Sequence, residues 1–155
     1  IIVDRNNMEI QLVINETDYY GHTITGRLKP SKEIELFGIN SERKWDTIKL
    51  SQFFKLNRAF FADRAENMKL VSDLKCFKAK VNLPSSFKLN IPLFNGENKE
   101  MIEVEIYADV DGRDVSLSLV SAGANEVMEN TKNRVIDKQL SDIMQVAKDI
   151  VIIEV

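Results

Sequence analysis

The sequence predicts an α+β protein: a mostly antiparallel sheet with helices packed on one face, then a long C-terminal helix and a final strand. Three observations carry this. Apolar residues alternate at period two in several short runs bounded by Gly, Pro and Asn, as half-buried strands do. Between and after those runs the spacing changes to three and four, the period of a helix with one buried face. The order is strands, helices, strands, one helix and a strand, which favours helices gathered on one side of an antiparallel sheet.

Ile10, Leu12 and Ile14 alternate within Glu9 to Ile14 and predict the first strand. Asn15 to His22 is polar and contains Gly21, so it reads as a turn. Thr23 to Lys29 returns as a strand, with Gly26 expected to mark a bulge, and Pro30-Ser31 breaks it. Glu33 to Phe37 alternates again, completing an expected three-stranded meander. Leu50, Phe53, Phe54, Asn57, Phe60 and Phe61 then recur at helical spacing, with Ser51 as the expected cap. Asp63 predicts the N-cap of a second helix reaching about Leu74, with Met68, Leu70, Val71 and Leu74 turned inward.

From Lys75 to Leu83 the period returns to two, with Phe77, Ala79, Val81 and Leu83 on one face, and Pro84 ends that strand. Phe87, Leu89 and Ile91 predict the next, leading to the Asn95-Gly96 turn. Ile102, Val104, Ile106 and Ala108 alternate up to Asp111-Gly112, and Val115, Leu117 and Leu119 alternate after it. With Asp-Gly as a two-residue type I′ loop, Ala108 faces Val115, Ile106 faces Leu117 and Val104 faces Leu119. Gly123 opens a helix from about Ala124 to Lys148, with Met128, Thr131, Val135, Ile136, Leu140, Ile143 and Ala147 on its stripe. Ile150 to Val155 is β-branched and reads as a buried closing strand.

The 155 residues carry 21 Lys plus Arg against 24 Asp plus Glu, a net charge of -3. That length fits a single domain over residues 1–155, and the start without Met leaves open that it is a piece of a longer chain. A hydrophobic share of 44% with 29% charged residues separates the chain from disordered and membrane proteins. No apolar run approaches the roughly 18 residues of a membrane span. The single Cys excludes a disulfide framework within one chain and suggests a reducing, cytoplasmic setting. The mild acidity gives no general attraction for nucleic acid.

The chemistry-bearing residues are few. His22, the one group titrating near neutrality, reads as a solvated turn residue. Cys76 lacks a C-x-x-C partner and reads as a buried or half-buried inert thiol; a Cys–His nucleophilic pair assembled in space is the sharper reading of the two together. Asp109-x-Asp111-Gly112-x-Asp114 resembles the start of a calcium loop but lacks the glycine and glutamate that loop needs, and a hairpin turn explains the same letters. Glu103, Glu105 and Asp109 form an acidic row on one strand face, either solvated or the ligand set of a metal-dependent hydrolase. Lys75, Lys78, Lys80 and Lys88, with Phe77 and Phe87 interleaved, are either a solvated edge or a nucleic-acid-binding face; Lys49, Lys55 and Arg58 add charge near the first helix. No phosphate loop, G-x-S-x-G or H-E-x-x-H is present, and the residues imply no cofactor.

One stretch carries a family likeness. Trp45, Leu50-Ser51-Gln52-Phe53-Phe54, Phe60-Phe61-Ala62-Asp63 and Leu83-Pro84-Ser85-Ser86-Phe87-Lys88-Leu89-Asn90-Ile91-Pro92-Leu93-Phe94-Asn95-Gly96 are similar to the later half of the YfdQ-like proteins of phages and prophages. In those, a Trp precedes a Ser-Gln helix rich in Phe, and a proline-flanked strand leads into a hairpin and a last helix. The likeness spans about two thirds of the chain, from roughly Trp45 onward. The first 40 residues fall outside it, and the family's acidic run is missing from the helix region. It implies a phage or prophage setting in the cytoplasm of a bacterial host, with no catalytic residue to carry over. The resulting expectation is a non-enzymatic binding or accessory protein acting through a protein partner or a homo-oligomer, without membrane contact. The rival readings are a nucleic-acid-binding module and a metal-dependent hydrolase.

Overall fold

A computed structural model describes residues 1–14, 21–76, 86–112 and 114–155. The expected strand from Lys75 to Leu83 lies mostly outside these residues, as do Lys78, Lys80, Phe77 and the turn at residues 15–20. The chain divides into two compact units, Ile1–Lys29 with Glu126–Val155, and Pro30–Asn125.

The first unit holds a four-stranded sheet of order β3-β2-β1-β7. Its strands are β1 (Ile2–Asp4), β2 (Glu9–Ile14), β3 (His22–Arg27) and β7 (Ile153–Glu154). β1 to β3 form an antiparallel meander, and β7 joins β1 in parallel. The turn from β1 to β2 is fixed by Asp4, whose carboxylate accepts the Asn7 backbone N–H at 3.0 Å and the Asn7 side-chain amide at 2.7 Å. Most of helix α4 (Ala122–Val146) belongs to this unit. Val3, Ile136 and Leu140 make the core there, with Ile1, Ile10 and Ile152 packed around them.

The second unit holds a three-stranded antiparallel sheet of order β4-β5-β6. These strands are β4 (Ser86–Pro92), β5 (Lys99–Asp111) and β6 (Asp114–Val120), and the same unit contains α1 (Lys32–Phe37), α2 (Thr47–Leu56) and α3 (Arg64–Lys75). Phe87, Leu89, Ile91, Ile102, Val104, Leu117 and Leu119 are buried, and the residues between them along β4 and β5 are exposed or partly so. Helix side chains complete the core. Phe54 meets Phe61 edge-on at 5.1 Å and Phe87 at 5.0 Å, and Phe37 meets Phe53 at 4.9 Å. Such offsets suit the quadrupole of each ring. α2 and α3 are also tied through polar atoms: Ser51 Oγ donates to the Val71 carbonyl at 2.9 Å, and Asn67 Nδ2 donates to the Phe54 carbonyl at 3.0 Å.

Two buried serines seat helices on this sheet in the same way. Ser31 Oγ accepts the Ile34 N–H of α1 and donates to the Pro92 carbonyl. Ser121 Oγ accepts the Ala124 N–H of α4 and donates to the Glu103 carbonyl. Each hydroxyl thereby satisfies one orphan helix donor and one strand acceptor.

The α+β class and its mostly antiparallel sheets, long helix and closing strand follow the sequence reading, with the strands divided between two sheets. Several local expectations are corrected. Glu33 to Phe37 is helix α1, because Ser31 caps it and burial falls on Ile34 and Phe37, three apart, while Leu36 is left exposed. α2 begins at Thr47 because Asp46 accepts the Lys49 N–H at 2.7 Å; Ser51 is an interior residue. Met68 points to solvent, and Asn67 takes the inward place. Pairing runs unbroken through Gly26, so there is no bulge. In the β5–β6 hairpin Ala108 faces Leu117, Ile106 faces Leu119 and Val110 faces Val115. Asp111 pairs with Asp114 because Gly112, at φ 63, enters the loop and Asp111 stays in the ladder. This shift of two residues keeps every side chain on its expected face. The closing strand shrinks to Ile153–Glu154 and is exposed, since it lies at the sheet edge.

Candidate functional site

The helix-facing side of the first sheet is only partly covered. α4 packs over Val3 through Ile136 and Leu140. Alternation from Val3, whose partner is Ile10, places Ile10 and Leu12 of β2 on that same side, with Gly26 and Ile24 opposite them on β3, and Met8 and Leu28 just beyond the paired residues. β3 contributes little apolar volume there, because Gly26 has no side chain and Ile24 is 60% exposed. The result is an open groove of about 760 Å³ between the outer half of the sheet and α4. Its floor includes Ile10, Leu12 and Ile24, and its wall includes Val135, Ile143 and Val146, with Arg27, Gln139 and Asp142 at its polar border. A volume of that size with apolar walls and few polar groups is the usual form of a binding site.

Arg27 is drawn back to the sheet by its pair with the mostly buried Glu9, which also accepts from Gln11 Nε2 at 3.4 Å. At the other end of the unit Arg5 gathers Asn133, Asp137 and Glu154 around its guanidinium. Glu154 first, then Asp137, push the Arg5 pKa upward by favouring its charged form.

The edges of the two sheets differ. β4 is shielded by bridges from Pro30 to Phe94 and from Phe61 to Leu89, with Ser31 and Ala62 N–H groups donating to Leu93 and Lys88. β6 is shielded by Trp45, which exchanges backbone bonds of 2.8 and 2.7 Å with Leu117, and by Asn40 donating to Leu119. β3, by contrast, is exposed at all six residues.

The residues singled out from sequence are dispersed. His22 is exposed at the start of β3. Cys76 follows α3 and is exposed, correcting the expected burial, because the strand meant to enclose it does not begin there: Lys75 ends a helix and Cys76 caps it. Lys75 and Lys88 are both exposed, Lys88 standing opposite Glu103 on the outer face of β4. Lys49, Lys55 and Arg58 are exposed on and after α2. Glu103, Glu105 and Asp109 do share the outer face of β5. Glu103 accepts from Ser86 Oγ at 3.0 Å and Glu105 from Tyr107 OH at 2.8 Å, a bond that raises the Tyr107 pKa. Among the described residues no group of three or more His, Cys, Asp or Glu is placed to hold a metal ion. No described helix is long and apolar enough to cross a membrane.

The sequence reading missed the groove. Its signal was present in the α4 stripe, which runs on through Ile143 and Ala147 toward Ile150, beyond what the small, Thr- and Gly-bearing β3 can cover. Fold and site thus define an α+β protein with an apolar groove beside the edge strand β3. No family model matches the chain, and no curated protein or solved structure matches it either.

Proposed function

We propose that the chain is a non-enzymatic binding or accessory protein that works through protein–protein contacts or self-association, in a phage or prophage setting. The observation that supports it most is the apolar groove of the first unit, open to solvent and bordered by a strand that nothing among the described residues shields on its outer side. A concave site walled by aliphatic side chains, with few polar groups at its border, is the form in which a protein takes up the apolar groups of a partner. The phage setting rests on the proline-flanked strand and the Phe-rich Ser-Gln helix described above.

The test compares three purified, tagged proteins against a lysate of a lysogenic bacterium: wild type, Ile143→Glu in the groove wall, and Met144→Glu, exposed on the same helix. A protein retained by wild type and Met144→Glu but lost with Ile143→Glu, and rebinding as a purified pair, is the expected result. A wild type that stays monomeric and retains nothing dependent on Ile143 overturns the reading.

A further inference from the structure

We infer that β3 is a self-complementary edge through which two copies of this chain pair, antiparallel, about a two-fold axis at Thr25. The inference rests on the binding-protein reading and names the partner. The Leu28 N–H bonds the Met8 carbonyl at 2.9 Å, which fixes the phase of the β2–β3 ladder. Bonded pairs alternate with non-bonded ones in an antiparallel ladder. His22, Ile24 and Gly26 therefore spend their backbone groups on β2, and Thr23, Thr25 and Arg27 turn theirs outward. Among the described residues nothing bonds those outward groups.

An axis at Thr25 pairs Thr25 with itself and Thr23 with Arg27 of the second copy, forming about six backbone hydrogen bonds, one for each outward N–H of the two strands. It also sets Ile24 across from the second copy's Gly26 on the groove side. That gives Gly26 a second role besides leaving the groove open. Gly26 has no positive φ, and a Cβ there would meet only the Ile10 carbonyl, at 3.9 Å. In the pair, the missing side chain makes room for an isoleucine that is otherwise 60% exposed. Proteins guard lone edges with Pro, Lys, bulges or covering loops. The other sheet has covering segments on both edges, whereas Thr23 to Gly26 has none of these guards among the described residues. No like charges oppose each other, since Arg27 meets Thr23 and is held to Glu9 in its own chain.

Two substitutions separate pairing from folding. Thr25→Pro removes an outward N–H that the chain itself does not use, a place where edge strands tolerate proline. Gly26→Val suits a strand, and its Cβ meets nothing within the chain closer than the Ile10 carbonyl, yet its side chain occupies the place of the second copy's Ile24. Sedimentation velocity on the full chain is expected to show a concentration-dependent dimer for wild type. Each variant is expected to raise the dissociation constant at least roughly tenfold while keeping the wild-type circular dichroism spectrum. In a Cys76→Ser background, Thr25→Cys is expected to form a disulfide-linked dimer on mild oxidation, and Thr23→Cys is not, because only residues facing themselves come within bonding distance. A wild type that remains monomeric at roughly 200 µM, far above the micromolar range of a modest interface, overturns the inference. So do folded variants that dimerise like wild type, or equal cross-linking at 23 and 25. A monomeric wild type that still retains an Ile143-dependent partner overturns this pairing alone.

Discussion

Arg5 Nη2 donates to Asp137 Oδ1 at 2.7 Å, joining residues 132 positions apart. The same nitrogen reaches Glu154 Oε1 at 2.9 Å, so one guanidinium fastens the end of β1 to α4 and to β7. Single exposed ion pairs contribute little, but a shared planar donor loses less entropy per bond. Arg5→Ala is expected to cost about 1 kcal/mol at low ionic strength. The cost should shrink as salt rises to roughly 0.5 M, where the Debye length falls well below 10 Å. Urea denaturation followed by far-ultraviolet circular dichroism at two salt concentrations measures both.

Phe54 is fully buried between Phe61 and Phe87. Phe54→Ala removes two edge-on ring contacts and leaves a cavity that helix and sheet cannot jointly close. A loss of about 3–5 kcal/mol is expected. Phe54→Leu, which keeps most of the volume, should cost well under half as much in the same urea experiment.

Asn40 has φ 57 and binds the β6–α4 junction from three atoms. Its N–H donates to Leu119, its Nδ2 to the Ser121 carbonyl at 2.8 Å, and its Oδ1 accepts the Ser121 N–H at 2.8 Å. Asn40→Gly keeps the left-handed backbone and loses the side-chain bonds, for an expected cost of about 1–3 kcal/mol. Asn40→Ala loses the same bonds and adds about 1 kcal/mol for a Cβ in that conformation. The alanine variant should therefore be the less stable of the two, and the reverse order would show that the backbone conformation is not what Asn40 supplies.

The Asp4 carboxyl is held below its ordinary value of 3.8, first by the Asn7 backbone N–H and then by the Asn7 side chain. A carboxylate with a lowered pKa in the folded state binds its proton more weakly there than in the unfolded chain. Its contribution to stability is complete above the unfolded value and fades as pH falls through the folded one. Acidification below about pH 4 should therefore loosen the β1–β2 turn. Carbon-detected NMR titration of Asp4 is expected to give a midpoint that rises toward the ordinary value in Asn7→Ala.

The fold was legible where periodicity and capping agreed. β4, β5 and β6 read cleanly because each has a single buried face, and Asp63 announced α3 because it is followed at once by good helix formers. Glu33 to Phe37 was ambiguous because five residues satisfy period two through Ile34 and Leu36 and period three through Ile34 and Phe37. Tertiary burial decided it. The hairpin register slipped by two because a two-residue loop can begin at Asp111 or at Gly112 with every side chain kept on its face, and the pairing of Asp111 with Asp114 decides between them. The groove was not legible. It arises from side chains absent from β3 as much as from those present on α4, and a missing side chain leaves no periodic signature.

The division of ring-bearing residues has a practical result for anyone watching this protein unfold. All eight Phe and the one Trp fall between Pro30 and Asn125, and the remaining unit holds only Tyr19 and Tyr20. Trp45 emission and near-ultraviolet ellipticity therefore report almost wholly on the Phe-rich unit. The aliphatic unit that carries the groove can come apart with little change in either signal. Methyl resonances of Val3, Ile136 and Leu140 would reveal a melting step that Trp45 emission does not register.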